Sequence, residues 1–172
     1  QQYFLNDNTA CYVLTGDNYP HRIPMRNDEE RLNVYNESGE DGLRGYLGTP
    51  KEIDFDRINK ELSEFKAGKD IIEIKGREDG DISYDETDFT GIKVLILEWT
   101  HGGSEYLKGV DIPVFLESSP EETKARRIKR GRDENAASPF ICRVVELEQE
   151  KLDLQGKNAR IVVGKDGKVY EQ

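Results

Sequence analysis

The chain has 172 residues, 35% hydrophobic and 35% charged, with a net charge of -10 and a mean hydropathy of -0.79. That length suits one domain burying roughly 70% of its unfolded surface. No apolar run approaches the ~20 residues that cross a bilayer, and none has the pattern of a signal peptide, so neither a membrane nor secretion is expected.

Gln1 to Asn8 reads as the tail of a helix ending in a polar turn. Cys11-Tyr12-Val13-Leu14 is a short apolar strand, halted by the turn formers Thr15-Gly16-Asp17-Asn18-Tyr19-Pro20. From His21 to Gly48 periodicity is weak, and the reading is a short helix over 28–35 within mobile loop. Thr49-Pro50-Lys51-Glu52 has the makings of a helix start, with Asp54 as the competing cap. Phe55, Ile58, Leu62 and Phe65 then recur at helical spacing until Gly68. Ile71 to Ile74 is a strand, Gly76 to Gly80 a charged turn, and Asp81 to Phe89 a hairpin arm. Val94-Leu95-Ile96-Leu97-Glu98-Trp99 carries the unbroken apolar run of a strand buried on both faces, as in the middle of a parallel sheet.

Ile112 to Leu116 reads as another buried strand. Ser119-Pro120-Glu121-Glu122 is a capping box opening a helix to Gly131. Ser138-Pro139 starts the next helix, with Phe140, Val144 and Leu147 on one face and an end near Gly156. Ala159 to Val163 is a final strand, and Lys165-Asp166-Gly167-Lys168 turns the chain into Val169-Tyr170. Alternating strands and helices predict one α/β domain with a mostly parallel sheet.

The acidity argues against nucleic acid as the main partner, because phosphate backbones need clustered positive charge. The exception is local: Lys124, Arg126, Arg127, Lys129, Arg130 and Arg132 crowd one segment, which suits a small anionic ligand. Cys11 and Cys142 sit in apolar settings and read as small buried residues of a reducing, cytoplasmic compartment. With two scattered histidines they make no zinc pattern.

Ligands of open α/β sheets bind beyond the carboxyl ends of the strands. Three polar clusters suit that edge: Thr15 to Arg22, Glu98 to His101, and Arg126 to Arg132. In phosphoryl transfer one carboxylate orients or deprotonates the acceptor hydroxyl, another stands by magnesium, and arginines neutralise charge on the transferred group. Each cluster also has a plainer reading. Asp17 is a turn former, Glu98 marks where a strand meets water, the arginine helix is a solvated face, His101 belongs to a loop, and Tyr84 belongs to a hairpin. It is their joint occurrence that carries phosphotransfer.

Gly16-Asp17-Asn18-Tyr19 after a short strand resembles the acceptor motif of the uridine kinase and phosphoribulokinase branch of P-loop kinases. Asp54-Phe55-Asp56, the helix to Phe65-Lys66-Ala67-Gly68-Lys69, and Tyr84-Asp85 come in that branch's order. Ile96-Leu97-Glu98-Trp99 stands at its Walker-B-like strand, with Trp99 where the family has glycine, and Arg126 to Arg132 is similar to its lid helix. Asp17-Asn18-Tyr19-Pro20-His21-Arg22 and Glu98-Trp99-Thr100-His101-Gly102 resemble an uncharacterised bacterial subgroup of uridine-kinase-like proteins.

The resemblance implies a P-loop NTPase-like three-layer α/β/α fold over 1–172, with a lid-like helix about 120–132. It implies ATP and Mg2+ as cofactors and a nucleoside or sugar phosphate as acceptor. By it Asp17 is the base, and Asn18, Tyr19, His21, Arg22 and Tyr84 face the acceptor. Glu98 acts near the metal, and Arg126, Arg130 and Arg132 close over the phosphates. The family's Gly-x-x-x-x-Gly-Lys-Ser/Thr loop occurs nowhere in these residues. The chain starts at Gln1 and its sole methionine is Met25, so the first strand and phosphate loop are expected upstream. An unpaired sheet edge would then favour a homo-oligomer. Gly16-Asp17-Asn18 with an arginine shortly after also resembles adenylylsulfate kinase, and a non-catalytic binding or assembly module is the third alternative.

Overall fold

Two short strands lying parallel, far apart in sequence, set the frame. In the computed structural model, which describes residues 9–119, 121–123 and 138–172, β1 (Cys11–Thr15) pairs in parallel with β4 (Val94–Glu98). Between them run α1 (Pro24–Tyr46), α2 (Phe55–Lys66), β2 (Ile71–Glu78) and β3 (Asp81–Asp88). Beyond β4 come β5 (Val114–Leu116), α3 (Pro139–Gly156), β6 (Ile161–Val163) and β7 (Val169–Glu171). β5 pairs in parallel with β6, and β6 antiparallel with β7. The architecture is α/β, with parallel pairs at β1–β4 and β5–β6 and an antiparallel β2–β3 hairpin.

The core sits where α2 crosses the strands. Leu14, Tyr19, Ile53, Phe55, Ile58, Leu62, Ile72, Ile74 and Phe89 form one buried cluster. α2 begins where the sequence offered its second cap: the Asp54 side chain accepts from Arg57 N at 3.1 Å, occupying a donor with no intrahelical partner. Ser138 caps α3 in the same way through Ile141 N. Val144 and Leu147 of α3 close a second cluster with Leu43 and Leu47. The Ser119–Glu122 capping box is reciprocal: Ser119 N donates to Glu122 Oε2 at 2.8 Å and Glu122 N to Ser119 Oγ at 3.3 Å. Residues 124–137, with most of the helix expected beyond that box, and the helix tail expected over 1–8 lie outside the described residues.

Four expectations are corrected. The segment read as a short helix over 28–35 is one helix from Pro24 to Tyr46, broken only at Gly39, whose φ of 64° leaves the helical region. Its hydrophobic pattern is weak because ion pairs hold it. Arg31 reaches Glu52 and Glu148, while Glu40 meets Arg143 and Arg44 meets Glu150.

The hairpin turn is Asp79-Gly80 rather than the whole of Gly76 to Gly80. Both turn residues have positive φ, 50° and 86°, as a two-residue hairpin loop needs. β4 is half-buried along its apolar run rather than buried on both faces. In β5, Val114 is 53% and Leu116 68% exposed, and only Phe115 turns inward.

Candidate active site

Register decides the first question about the site. Thr15 is the partner of Glu98 in the parallel β1–β4 pair, so both strands deliver their carboxyl ends to one edge. Immediately beyond β1 a 3-10 turn, Gly16–Asn18, exposes Asp17. Glu98 is exposed at the tip of β4. Two carboxylates from distant parts of the sequence therefore stand at the edge where α/β sheets bind ligands.

The side chain joining the two strand ends is Trp99. A Cβ on Gly16 would fall inside the Trp99 side chain. The indole also stacks obliquely on Phe55 (5.6 Å) and Tyr19 (6.3 Å), and edge-on to His101 (5.6 Å, 87°). Trp99 thus fills the space that the small residue at Gly16 leaves, and the two choices make sense together. Gly16→Ala should cost at least the ~1–3 kcal/mol typical of overpacking, read as a lowered thermal midpoint. Wild-type stability in that variant would show that the Trp99 contact is loose.

Tyr19 is fully buried, and its hydroxyl donates to Glu61. The position expected to face the acceptor is therefore a core residue that anchors the turn from beneath. Burial first, and the Glu61 carboxylate second, push its hydroxyl far above the usual tyrosine range. Glu61 in turn accepts from Arg57 Nε at 2.6 Å and Lys75 N at 2.9 Å. Lys75 is itself 1% exposed and donates from Nζ to Asp54 Oδ2 at 3.1 Å and to the Pro20 carbonyl at 3.4 Å. The turn after Asp17 is bolted to α2 and β2 by buried charges, which is expensive unless every charge is met.

The remaining site residues spread around this turn. Asn18 is half-buried within it. His21 is exposed, with Nε2 3.1 Å from the Pro50 carbonyl, and its backbone N donates to the Glu52 carbonyl at 2.9 Å. Arg22 pairs with Glu30 at 3.4 Å. Tyr84 lies opposite Lys75 in the hairpin, half-exposed, with the Arg57 guanidinium 4.8 Å from its ring centroid. Arg126, Arg130 and Arg132 lie outside the described residues.

A buried polar network that sequence reading missed lies behind the site. Glu52, 1% exposed, accepts from Gly48 N (2.6 Å), Asn27 Nδ2 (3.0 Å) and Arg31 Nε (2.6 Å). Burial pushes its carboxyl up, but Arg31, the Gly48 N–H and Asn27 outweigh burial and hold it below the usual carboxylate range. His101 packs against this network: a Cβ on Gly48 would come within 2.9 Å of its ring.

Burial lowers the imidazole's affinity for a proton, with Glu148 and Glu52 pulling the other way. The folded chain thus holds His101 neutral where the unfolded chain, with an ordinary histidine pKa near 6.5, protonates. This contribution to stability is complete above about pH 6.5 and falls as pH drops below it, by at most about 1.4 kcal/mol per pH unit. Denaturant melts of His101→Gln between pH 7.5 and 5 should show a shallower loss than wild type; parallel curves would exclude His101 as the source.

Residues for a metal are few. Among the described residues no group of three or more His, Cys, Asp or Glu side chains converges on one point. Magnesium held between nucleotide phosphates needs only one or two protein carboxylates, and exposed Glu98 fits that lesser demand. Among the described residues no helix is long and apolar enough to cross a membrane.

No family model matches the chain. Over its whole length it is 74% identical to a segment of the bifunctional alpha-galactosidase/sucrose kinase of Mediterraneibacter gnavus, of which it spans 19%. Among solved structures it superposes on phosphoribulokinase from Rhodobacter spheroides with a TM-score of 0.71 at 12% identity, over 95% of this chain and 63% of that one. The chain therefore has the α/β fold of that phosphoribulokinase.

Proposed function

We propose that this chain carries the acceptor side of an ATP-dependent phosphotransferase acting on a hydroxyl of a small sugar. The observation that supports it most directly is the parallel register that puts the Asp17 turn and Glu98 at one sheet edge. In this reading Asp17 accepts the proton of the acceptor hydroxyl. What supports this role is an exposed carboxylate on the turn just beyond β1, with the turn anchored from beneath by Tyr19. Asn18, His21, Arg22 and Tyr84 surround the acceptor, while Tyr19 acts through packing alone.

Glu98 is the protein carboxylate for magnesium, which when bound with ATP would supply charge neutralisation at the phosphates. Arg126, Arg130 and Arg132 of a lid-like helix about 120–132 add positive charge to the same groups. A sugar is favoured over a nucleoside because the 74%-identical relative is called a sucrose kinase. Consumption of ATP points to the cytoplasm. Residues 1–172 are read as one kinase-like domain.

The test is an ATP-turnover assay on the parent protein, including whatever precedes Gln1, against sucrose, other sugars, sugar phosphates and nucleosides. Transfer to a sugar hydroxyl is expected. Absence of both ATP binding and turnover across the panel would remove the enzyme reading, and preference for a nucleoside would remove the sugar.

A further inference from the structure

The hairpin face above the acceptor turn carries an arginine with an unusual environment. Arg77 lies on β2 two residues beyond Lys75, so both side chains leave the same face of the hairpin. Its Nη2 donates to the carbonyl of Arg22 at 3.2 Å, which ties the guanidinium to the end of the acceptor turn. Its Nε and Nη1 are buried and have no hydrogen-bond partner in the structure.

Buried donors on a charged group are costly when unmet, and Arg77 has two on one guanidinium. The acidic group whose charge it feels is Asp17, whose carboxylate lies exposed on the neighbouring turn. The nearby buried cations of this region each have a carboxylate: Lys75 has Asp54, Arg57 has Glu61 and Glu73, and Arg31 has Glu52 and Glu148. Arg77 alone of these has a carbonyl as its sole partner, beside an acid that has not closed on it.

We propose that Arg77 is the positioning residue for Asp17. When an acceptor displaces water from the turn, the Asp17 carboxylate docks one oxygen on the free Arg77 Nε–H and keeps the other for the acceptor hydroxyl. The docking is a rotation of an exposed side chain toward a guanidinium already anchored at Arg22, and it meets one of the two unmet donors. It also explains why a cation stays at a half-buried position of an otherwise acidic chain. The inference rests on Asp17 being the base.

The test is a double-mutant cycle in the full-length protein with ATP and the best acceptor. Arg77→Gln should lower kcat by about 10- to 100-fold, within the range that a misaligned catalytic group costs, with acceptor KM changed less than about threefold. Arg77→Lys should recover part of that loss. In the Asp17→Asn background Arg77→Gln should produce no further loss, because the group it positions is gone. Wild-type kcat in Arg77→Gln, or an equal loss in both backgrounds, overturns the inference.

The two readings fail separately. Asp17→Asn at wild-type rate removes the base itself, whereas a slow Asp17→Asn with an unaffected Arg77→Gln removes only the positioning role. Should Arg77→Gln not fold, the wild-type protein still decides. The Arg77 Nε–H resonance, identified by its loss in Arg77→Lys, should move when acceptor saturates the wild type and stay in place in Asp17→Asn. A resonance that does not move in the wild type, or moves equally in both proteins, overturns the proposal.

Discussion

Asp17→Asn in the parent protein should lower kcat for phosphoryl transfer by about 100- to 10,000-fold while leaving ATP affinity unchanged. The range is what a positioned general base contributes to a proton transfer, and the amide keeps the size of the carboxylate while losing its basicity. The structure separates this effect from folding. Asp17 is exposed on a 3-10 turn, and the turn is held from beneath by Tyr19 on Glu61 and by Lys75 on the Pro20 carbonyl. The variant should therefore melt within about 0.5 kcal/mol of wild type, as surface substitutions do. A variant that transfers phosphate at the wild-type rate would leave Asp17 as a turn former and move the search for a base elsewhere on this edge. A variant that is inactive and also unstable would show that the turn, and not the charge, had been lost.

How much of this arrangement the sequence discloses depends on whether local chemistry or distant partners decide each element. Ser138 is legible as the cap of α3, whereas for α2 Asp54 competes with a start at Thr49, and the fold settles it for Asp54. The apolar spacing Phe140, Val144 and Leu147 finds its surface on Leu43 and Leu47 as a period-3.6 face should. The candidate edge was equally legible, because short apolar strands that end in turn formers and carboxylates constrain where those carboxylates go. α1 was not, since its anchors are Asn27, Arg31, Glu40 and Arg44. Asn27 meets Glu52, while the partners of the other three, Glu148, Arg143 and Glu150, lie over 100 residues away, and a charge does not announce its partner. Tyr19 was misplaced for the opposite reason. Its neighbours in sequence are polar, so only the buried Glu61 from α2 explains why its ring turns inward. The correspondence of Gly16 with Trp99 had a local trace, a tryptophan where the resembled family keeps glycine, but which residue made room for it needed the fold.

Glu52→Ala should be the most destabilising single change in this part of the chain, about 3–5 kcal/mol, the range for breaking a buried charge pair. One carboxylate meets three donors, from Gly48, Asn27 and Arg31, and all three lose their acceptor at once. Arg31 keeps Glu148 at 2.8 Å, which sets the effect below that of a wholly orphaned guanidinium. At 172 residues each kcal/mol moves the midpoint by about 2–4 °C, so the expected fall is about 6–20 °C. The exposed Glu29→Ala is the control and should change stability by no more than about 0.5 kcal/mol. Because the folded state holds the Glu52 carboxyl below its usual range, its contribution is present above the unfolded carboxylate pKa and is lost as pH falls through the folded one. The gap between wild type and Glu52→Ala should accordingly narrow in acid. A fall of under 1 kcal/mol at pH 7 would mean that water replaces the carboxylate among its donors. A large fall brings the site into the same account: the Glu52 carbonyl receives the backbone N–H of His21, so the segment that seats Glu52 also fixes the far end of the acceptor turn.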